Sequence, residues 1–263
     1  MTEDDLIRVQ DRFYTYTNVF VEKAADPYPY ILKQEHTMRV CDNIRMLSRS
    51  LNLSSNTMRL AVAAAMVHDM GRFPQFDTFG TFSDGQSKNH GSLGAKVLVR
   101  HDILKGIPKT EKQLILRAVV LHNRPRLPLG LESDLDLIAR LLRDADKIDI
   151  YGVMKDHYQS VESGNGFITH DLTDDGRVSH DLVMHLLNKQ RLDFNRVITL
   201  NDMKVFQLGM VFDLNFPATA KAVKDLGIIP AIVFSMPADS LLDELSRTIE
   251  SYLMKLSADL ADN

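Results

Sequence analysis

Along most of the chain the apolar positions recur three and four residues apart, the spacing of a helix with one buried face. On that pattern helices are predicted over 3–24, 32–51, 57–70, 90–103, 111–122, 133–158, 180–192, 202–212, 217–226 and 238–259. Leu60–Val67 departs from it by being apolar nearly all round, which marks a central helix. Local signals mark several ends. Ser54 to Thr57 offer N-caps, and Thr110 with Gln113 has capping-box spacing before Leu114. Pro27 and Pro29 mark a break between the first two helices. Two stretches lack the helical period. Arg72–Asn89, "RFPQFDTFGTFSDGQSKN", is long for a loop, a length common among functional loops; its four phenylalanines imply that part of it packs down. Phe167–Val178, "FITHDLTDDGRV", carries an Asp174-Asp175-Gly176 turn suited to a small β-hairpin. Its likeness to a calcium loop beginning at Asp171 fails, because Thr173 takes the third position and Leu182 the twelfth, where a bidentate Glu is required. There is no internal repeat and no low-complexity linker. The expectation is therefore an all-α chain, one multi-helix domain over 1–263 whose last third is a helical extension packed on the rest.

Composition narrows the partners. The 263 residues are 44% hydrophobic and 25% charged, which is ordinary for a globular chain. A net charge of −4 and a pI near 6.1, with no long Lys/Arg run, argue against nucleic acid as a partner, since polyanion binding needs a concentrated basic surface. A small phosphorylated ligand needs only a few cations. The single cysteine, Cys41, excludes an intrachain disulfide and a thiolate metal cluster. The N-terminus "MTEDDLIRVQDRF" has no apolar signal core, and no apolar run approaches the roughly 20 residues that span a bilayer. A cytoplasmic protein without a membrane partner is expected. The sequence is silent on oligomeric state.

The candidate chemistry lies in the histidines and in one aspartate-rich helix. At 100° per residue, His36 shares a stripe with Val40, Leu47 and Leu51, and His90 with Leu93, Gly94, Val97 and Leu104. His122 aligns with Ile115, Ala118 and Val119, with Asn123 following as a C-cap. Alone, His36 reads as a core histidine, and His122 also reads as a capping or dipole-paired one. His68 and Asp69 are harder to explain that way. They end the apolar run, where the helix dipole favours the imidazole and disfavours the carboxylate, so the pair makes more sense beside a cation. His101 lies on the His90 face but roughly 16 Å further along the axis, too far to share a site. His157, His170, His180 and His185 have no assigned chemistry. In Leu135–Asp149, "LDLIARLLRDADKID", Asp149 points closest to the core face defined by Ile138, Leu142, Ala145 and Ile148, and Asp144 and Asp146 flank it. Periodicity does not choose among these three. Imidazoles and carboxylates together suit a divalent metal such as Mn, Fe, Ni, Co or Zn without selecting one.

At these residues the sequence resembles the HD superfamily of metal-dependent phosphohydrolases. The signature is a histidine, a His-Asp pair and a later aspartate; here "EHTMRV", "VHDMGRF" and "RDADKID" carry it, with "NHGSLGA" and "LHN" between them. The resemblance spans about 30–158 and leaves the extension at about 160–263 without a motif. It implies a metal-binding core with His36, His68, Asp69 and Asp146 as ligands, the family's "ADxx(D/H)" setting selecting Asp146 over Asp144. His90 and His122 fall where some relatives bind a second metal, with the dyad aspartate bridging; their other role would be to orient water and phosphate. The cyclic-dinucleotide branch is not matched, because His122 is followed by Asn123 rather than a second histidine and Ile150-Tyr151-Gly152 is not GYP. The implied activity is hydrolysis of a small phosphate mono- or diester, a nucleotide foremost. It would use one or two divalent ions (Mn, Fe, Ni, Co, Zn or Mg), with Arg72 and Lys147 as candidate catalytic or phosphate-binding cations. The segment 72–89 is expected to form a pocket wall or lid, its phenylalanines packing rather than stacking on a base. A di-iron oxygenase of the same fold, or a non-catalytic ligand-binding module, is the alternative.

Overall fold

A computed structural model describes residues 1–159, 172–173 and 175–258. The expected hairpin over Phe167–Val178 falls largely outside the described residues, as do His170, Asp171 and the side chain of His157. The described secondary structure is helical, as the periodicity predicts, with one isolated β-bridge between Thr173 and Thr199. The chain divides into two compact units, 1–149 and 150–263.

The first unit is built around α3 (Ser55–Val67). Every residue from Leu60 to Val67 is buried, as the all-round apolar pattern predicts. The small side chains Ala61, Ala63, Ala64 and Ala65 let neighbours approach, and α3 packs against α1 (Glu3–Lys23), α2 (Tyr28–Ser50) and α6 (Lys109–Leu121). Ser54 caps α3, its hydroxyl accepting from the Thr57 amide. The predicted box at Thr110 does not form. The helix begins at Lys109 behind Pro108, so Thr110 is already inside the first turn and cannot cap it.

The structure corrects the reading of 72–89. Its first part is a helix, α4 (Arg72–Phe79), closed by Gly80 in the left-handed conformation at φ 66°, and a 3₁₀ turn follows at Asp84–Gln86. Pro74, which looks like a breaker, sits in the first turn, where its missing N–H has no intrahelical role. Burial drives the helix: the Phe73 ring lies 5.8 Å from Phe20 and 6.1 Å from Tyr30, and Phe76 stacks on Phe82 at 4.7 Å. At these positions the packing role expected of the phenylalanines is what the structure shows. α5 (His90–Arg100) then packs on α4 and α6, and α7 (Ser133–Gln159) follows, with the boundary between the units falling at Asp149 within it.

In the second unit α8 (His180–Leu187), α10 (Pro217–Leu226) and α11 (Ile228–Phe234) pack against the long α12 (Ser240–Ala258), while α9 (Leu200–Gly209) packs on α8 and α11. α11 is absent from the periodic reading because it is short and carries Pro230, again in a first turn. No helix among the described residues is long and apolar enough to cross a membrane.

Candidate metal centre

Four elements bring the candidate residues together. α2 supplies His36, the turn after α3 supplies His68 and Asp69, the first residue of α5 is His90, and the residue after α6 is His122. All five are buried. The approach of α5 to the His68-Asp69 turn depends on two glycines. A Cβ on Gly71 would lie 2.2 Å from the His90 carbonyl oxygen and 2.6 Å from the Gly94 nitrogen; one on Gly94 would lie 3.3 Å from the Gly71 nitrogen. Gly71 has φ −69°, an ordinary helical value. It is needed here for space, not for a turn that other residues cannot make.

The ligand atoms form two groups that share Asp69. His36, His68 and Asp69 form one, Asp69, His90 and His122 the other, and within each group the potential donor atoms lie within 4.8 Å of one another. On the first side His36 Nε2 is 3.3 Å from His68 Nε2, 3.6 Å from Asp69 Oδ2 and 3.2 Å from Asp146 Oδ1. On the second, His90 Nε2 is 3.0 Å from His122 Nε2 and 3.5 Å from Asp69 Oδ1, and His122 Nε2 is 3.8 Å from that oxygen. One carboxylate oxygen of Asp69 therefore faces each side.

The outer nitrogens decide what the inner ones can do. His36 Nδ1 is 2.6 Å from Asp149 Oδ2, and His90 Nδ1 is 2.8 Å from both oxygens of Asp84. His68 Nδ1 is 2.7 Å from the Ala65 carbonyl, and His122 Nδ1 is 2.6 Å from the Val119 carbonyl. Carbonyls and carboxylates only accept, so each Nδ1 must carry the proton, and a neutral ring then presents a bare Nε2 lone pair. Two pairs of lone pairs facing each other at 3.0–3.3 Å would repel without a cation between them. With metal–ligand bonds of about 2.1 Å, neighbouring ligand atoms in tetrahedral or octahedral geometry lie about 3.0–3.4 Å apart, so the donor set fits a divalent ion. Locking the outer nitrogen of each imidazole is the usual support for a metal-binding histidine.

Electrostatics keep the donors ready. Burial would raise the Asp69 carboxyl, but Lys33, His68 and Arg72 outweigh it and hold Asp69 well below the usual carboxylate range. Asp146 is likewise lowered, burial being outweighed by His36. Burial lowers His68, and lowers His90 with help from Arg72. Burial, reinforced by His90 and His68, brings His122 down to about 3. His36 differs: burial and Lys33 push it down, yet hydrogen bonds to Asp146 and Asp149 leave it raised.

Of the three aspartates that periodicity left open, Asp146 reaches the histidines, Asp149 lies behind His36, and Asp144 is buried. Arg72 has Nε 3.5 Å from Asp69 Oδ1, while its Nη1 donates to Gln75 at 3.0 Å, to the Phe82 carbonyl and to Asp84 at 3.2 Å. Lys147 is buried, with Nζ 3.4 Å from the Arg143 carbonyl. His101 is exposed, its ring tilted against Tyr16 at 4.8 Å between centroids, outside the centre.

Several neighbours escaped the sequence reading. Asp84, at the end of the 72–89 segment, orients His90 and also accepts from Gln75 Nε2 at 2.9 Å and Asn123 Nδ2 at 3.0 Å. Asn123 thus reaches the site instead of capping α6, where His122 itself is the cap residue. Arg39 braces Asp149 at 2.5 Å, and Arg143 donates to the His122 carbonyl at 3.0 Å. Lys33 Nζ lies 2.9 Å from Asp69 Oδ2. Lys33 and His36, three apart on one helix, could have been paired from spacing.

Comparison with family models matches residues 34–151 to the HD domain. Comparisons with curated proteins and with solved structures give no match.

Proposed function

Residues 34–151 of this chain are an HD domain, and from that premise we propose that it is a metal-dependent phosphohydrolase acting on a small phosphate mono- or diester, with a nucleotide as the substrate class. The observation that carries this reading is the convergence of four Nδ1-locked imidazoles on Asp69. His36, His68, Asp69 and Asp146 would hold one ion, and His90, His122 and the other oxygen of Asp69 a second. A divalent ion held there supplies Lewis-acid polarisation of a phosphoryl oxygen and lowers the pKa of a bound water.

The chain's own residues do the rest by position and charge, which phosphoryl transfer chiefly requires. Asp149 and Asp84 fix the His36 and His90 rings in the tautomer that leaves Nε2 free. Asp69 and Asp146 stay ionised, so they bring negative charge to the centre at neutral pH. Arg72 is a fixed cation, its guanidinium anchored to Gln75, Phe82 and Asp84, and it stands beside Asp69 as positive charge for phosphate oxygens. Lys147, next to Asp146, is the second such cation. The segment 72–89 starts three residues after Asp69 and ends at His90, so it borders the site as a wall. Within it Phe82 packs on Phe76, with Lys33 Nζ 5.4 Å from its ring centroid.

The test is a panel of nucleotides and phosphomonoesters with added Mn, Co, Ni or Mg, run on the wild type, His68→Ala and Asp69→Ala. The expected result is metal-dependent release of phosphate or nucleoside product, reduced about a hundredfold or more in both variants. Equal activity in all three proteins would sink the reading. Elemental analysis of the same preparations separates it from the oxygenase alternative: two irons per chain with oxygen uptake would favour that alternative.

A further inference from the structure

Lys33 is the strongest feature that the reading above leaves without a task. It projects from α2 one turn before His36, and its ammonium lies 2.9 Å from Asp69 Oδ2. That is the oxygen facing His36 and His68, at 3.6 and 3.7 Å. The other cation at Asp69, Arg72, approaches through the opposite oxygen, Oδ1. Lys33 therefore stands on the very atom that the first metal would use. An ammonium and a divalent ion cannot both sit at one carboxylate oxygen among buried imidazoles without strong repulsion.

The rest of the environment leaves Lys33 able to move. Its side chain keeps 19% of its surface exposed, whereas Asp69 keeps 3%. Its Nζ lies 5.4 Å from the Phe82 ring centroid, a second resting place for the charge at the edge of the site. A lysine ammonium on a flexible four-carbon stem suits this exchange, and as a point charge it suits phosphate. By contrast the Arg72 guanidinium is tied down by its neighbours.

Resting on the metal-site reading, we propose that Lys33 is a stand-in cation: it neutralises Asp69 in the metal-free protein, and metal loading releases it to bind the phosphoryl oxygens of the substrate. It is a substrate-binding residue of the loaded protein and a competitor of metal in the empty one. These two roles predict effects of opposite sign from one substitution, which a purely structural salt bridge does not.

The experiment uses the full chain, stripped of metal by chelator, as wild type, Lys33→Met and Lys33→Gln. Mn²⁺ binding is followed by loss of the free-ion resonance signal, and inorganic phosphate binding by titration of the Mn-loaded protein. Circular dichroism checks that each variant is folded, the glutamine variant serving if the methionine one is not. The expected result is Mn²⁺ binding about tenfold tighter in the variants, because a competing charge is gone, and phosphate binding about tenfold weaker. Mn²⁺ binding that is unchanged or weaker in folded variants, or phosphate binding that does not change, overturns the role of Lys33. A wild type that binds no Mn²⁺ and no other divalent ion overturns the metal site itself and the Lys33 proposal with it.

Discussion

His68 and Asp69 stand just beyond the last residue of α3, where the polypeptide leaves the helix and side chains from other elements can meet them. Their place in the sequence was legible because an apolar run ended in two polar groups that the core could not absorb unpaired. Their partners were legible only in part. Periodicity put His36, His90 and His122 on inward faces, but it could not see Asp84, which belongs to a segment with no period, or Asn123, whose amide looks like a cap. Asp84→Asn keeps the shape and removes the charge behind His90. Metal stoichiometry, on the two-ion reading, should fall from two toward one, with affinity on the His90–His122 side reduced about 10–100-fold. The histidines also set an acid limit. His122 binds its proton at about 3 when folded and near 6.5 when unfolded, so between those values the unfolded chain holds the extra proton. Stability of the metal-free protein should therefore fall as pH drops from about 6.5 toward 3. His36 is raised when folded and acts oppositely, its contribution being present in acid and lost as pH rises through its folded value. Denaturant melts from pH 7 to 4 should show a shallower acid loss in a folded His122→Asn variant than in the wild type.

Among the elements, the long helices followed from spacing, while α4 and α11 did not. Both are short, and both hold a proline in the first turn that reads as punctuation in a sequence and as a tolerated residue in a helix. The crossing of α5 over the dyad turn brings Gly94 against Gly71. The tighter half of that contact is Gly71. Gly71→Ala puts a methyl against backbone atoms of His90 and Gly94, which cannot move without displacing α5. The variant should lose about 3 kcal/mol by thermal or chemical denaturation, together with metal binding on the His90 side. Gly85→Ala, whose Cβ would meet nothing nearer than Ser83 Oγ at 3.9 Å, is the matched control and should change neither.

For the whole molecule the all-α class followed from the dominance of one period, and the division at Asp149 did not, because α7 runs through it with no change of pattern. An ion that binds the buried donors of the folded chain and not the unfolded one makes the filled protein more stable than the empty one. Adding a divalent ion at a hundred times its Kd should raise stability by about 2.7 kcal/mol, read as an increase of several degrees in Tm and reversed by chelator. An unchanged Tm would count against binding to the native state. Asp69 gives this response its form. Since one carboxylate faces both sides, an ion on either side withdraws charge from the other, and the two binding events are thermodynamically coupled. The coupling is reciprocal: whatever factor the first ion imposes on the second, the second imposes on the first. The titration curve should then depart from a sum of two independent isotherms, and a substitution on the His36 side should shift the midpoint on the His90 side without touching any of its ligands.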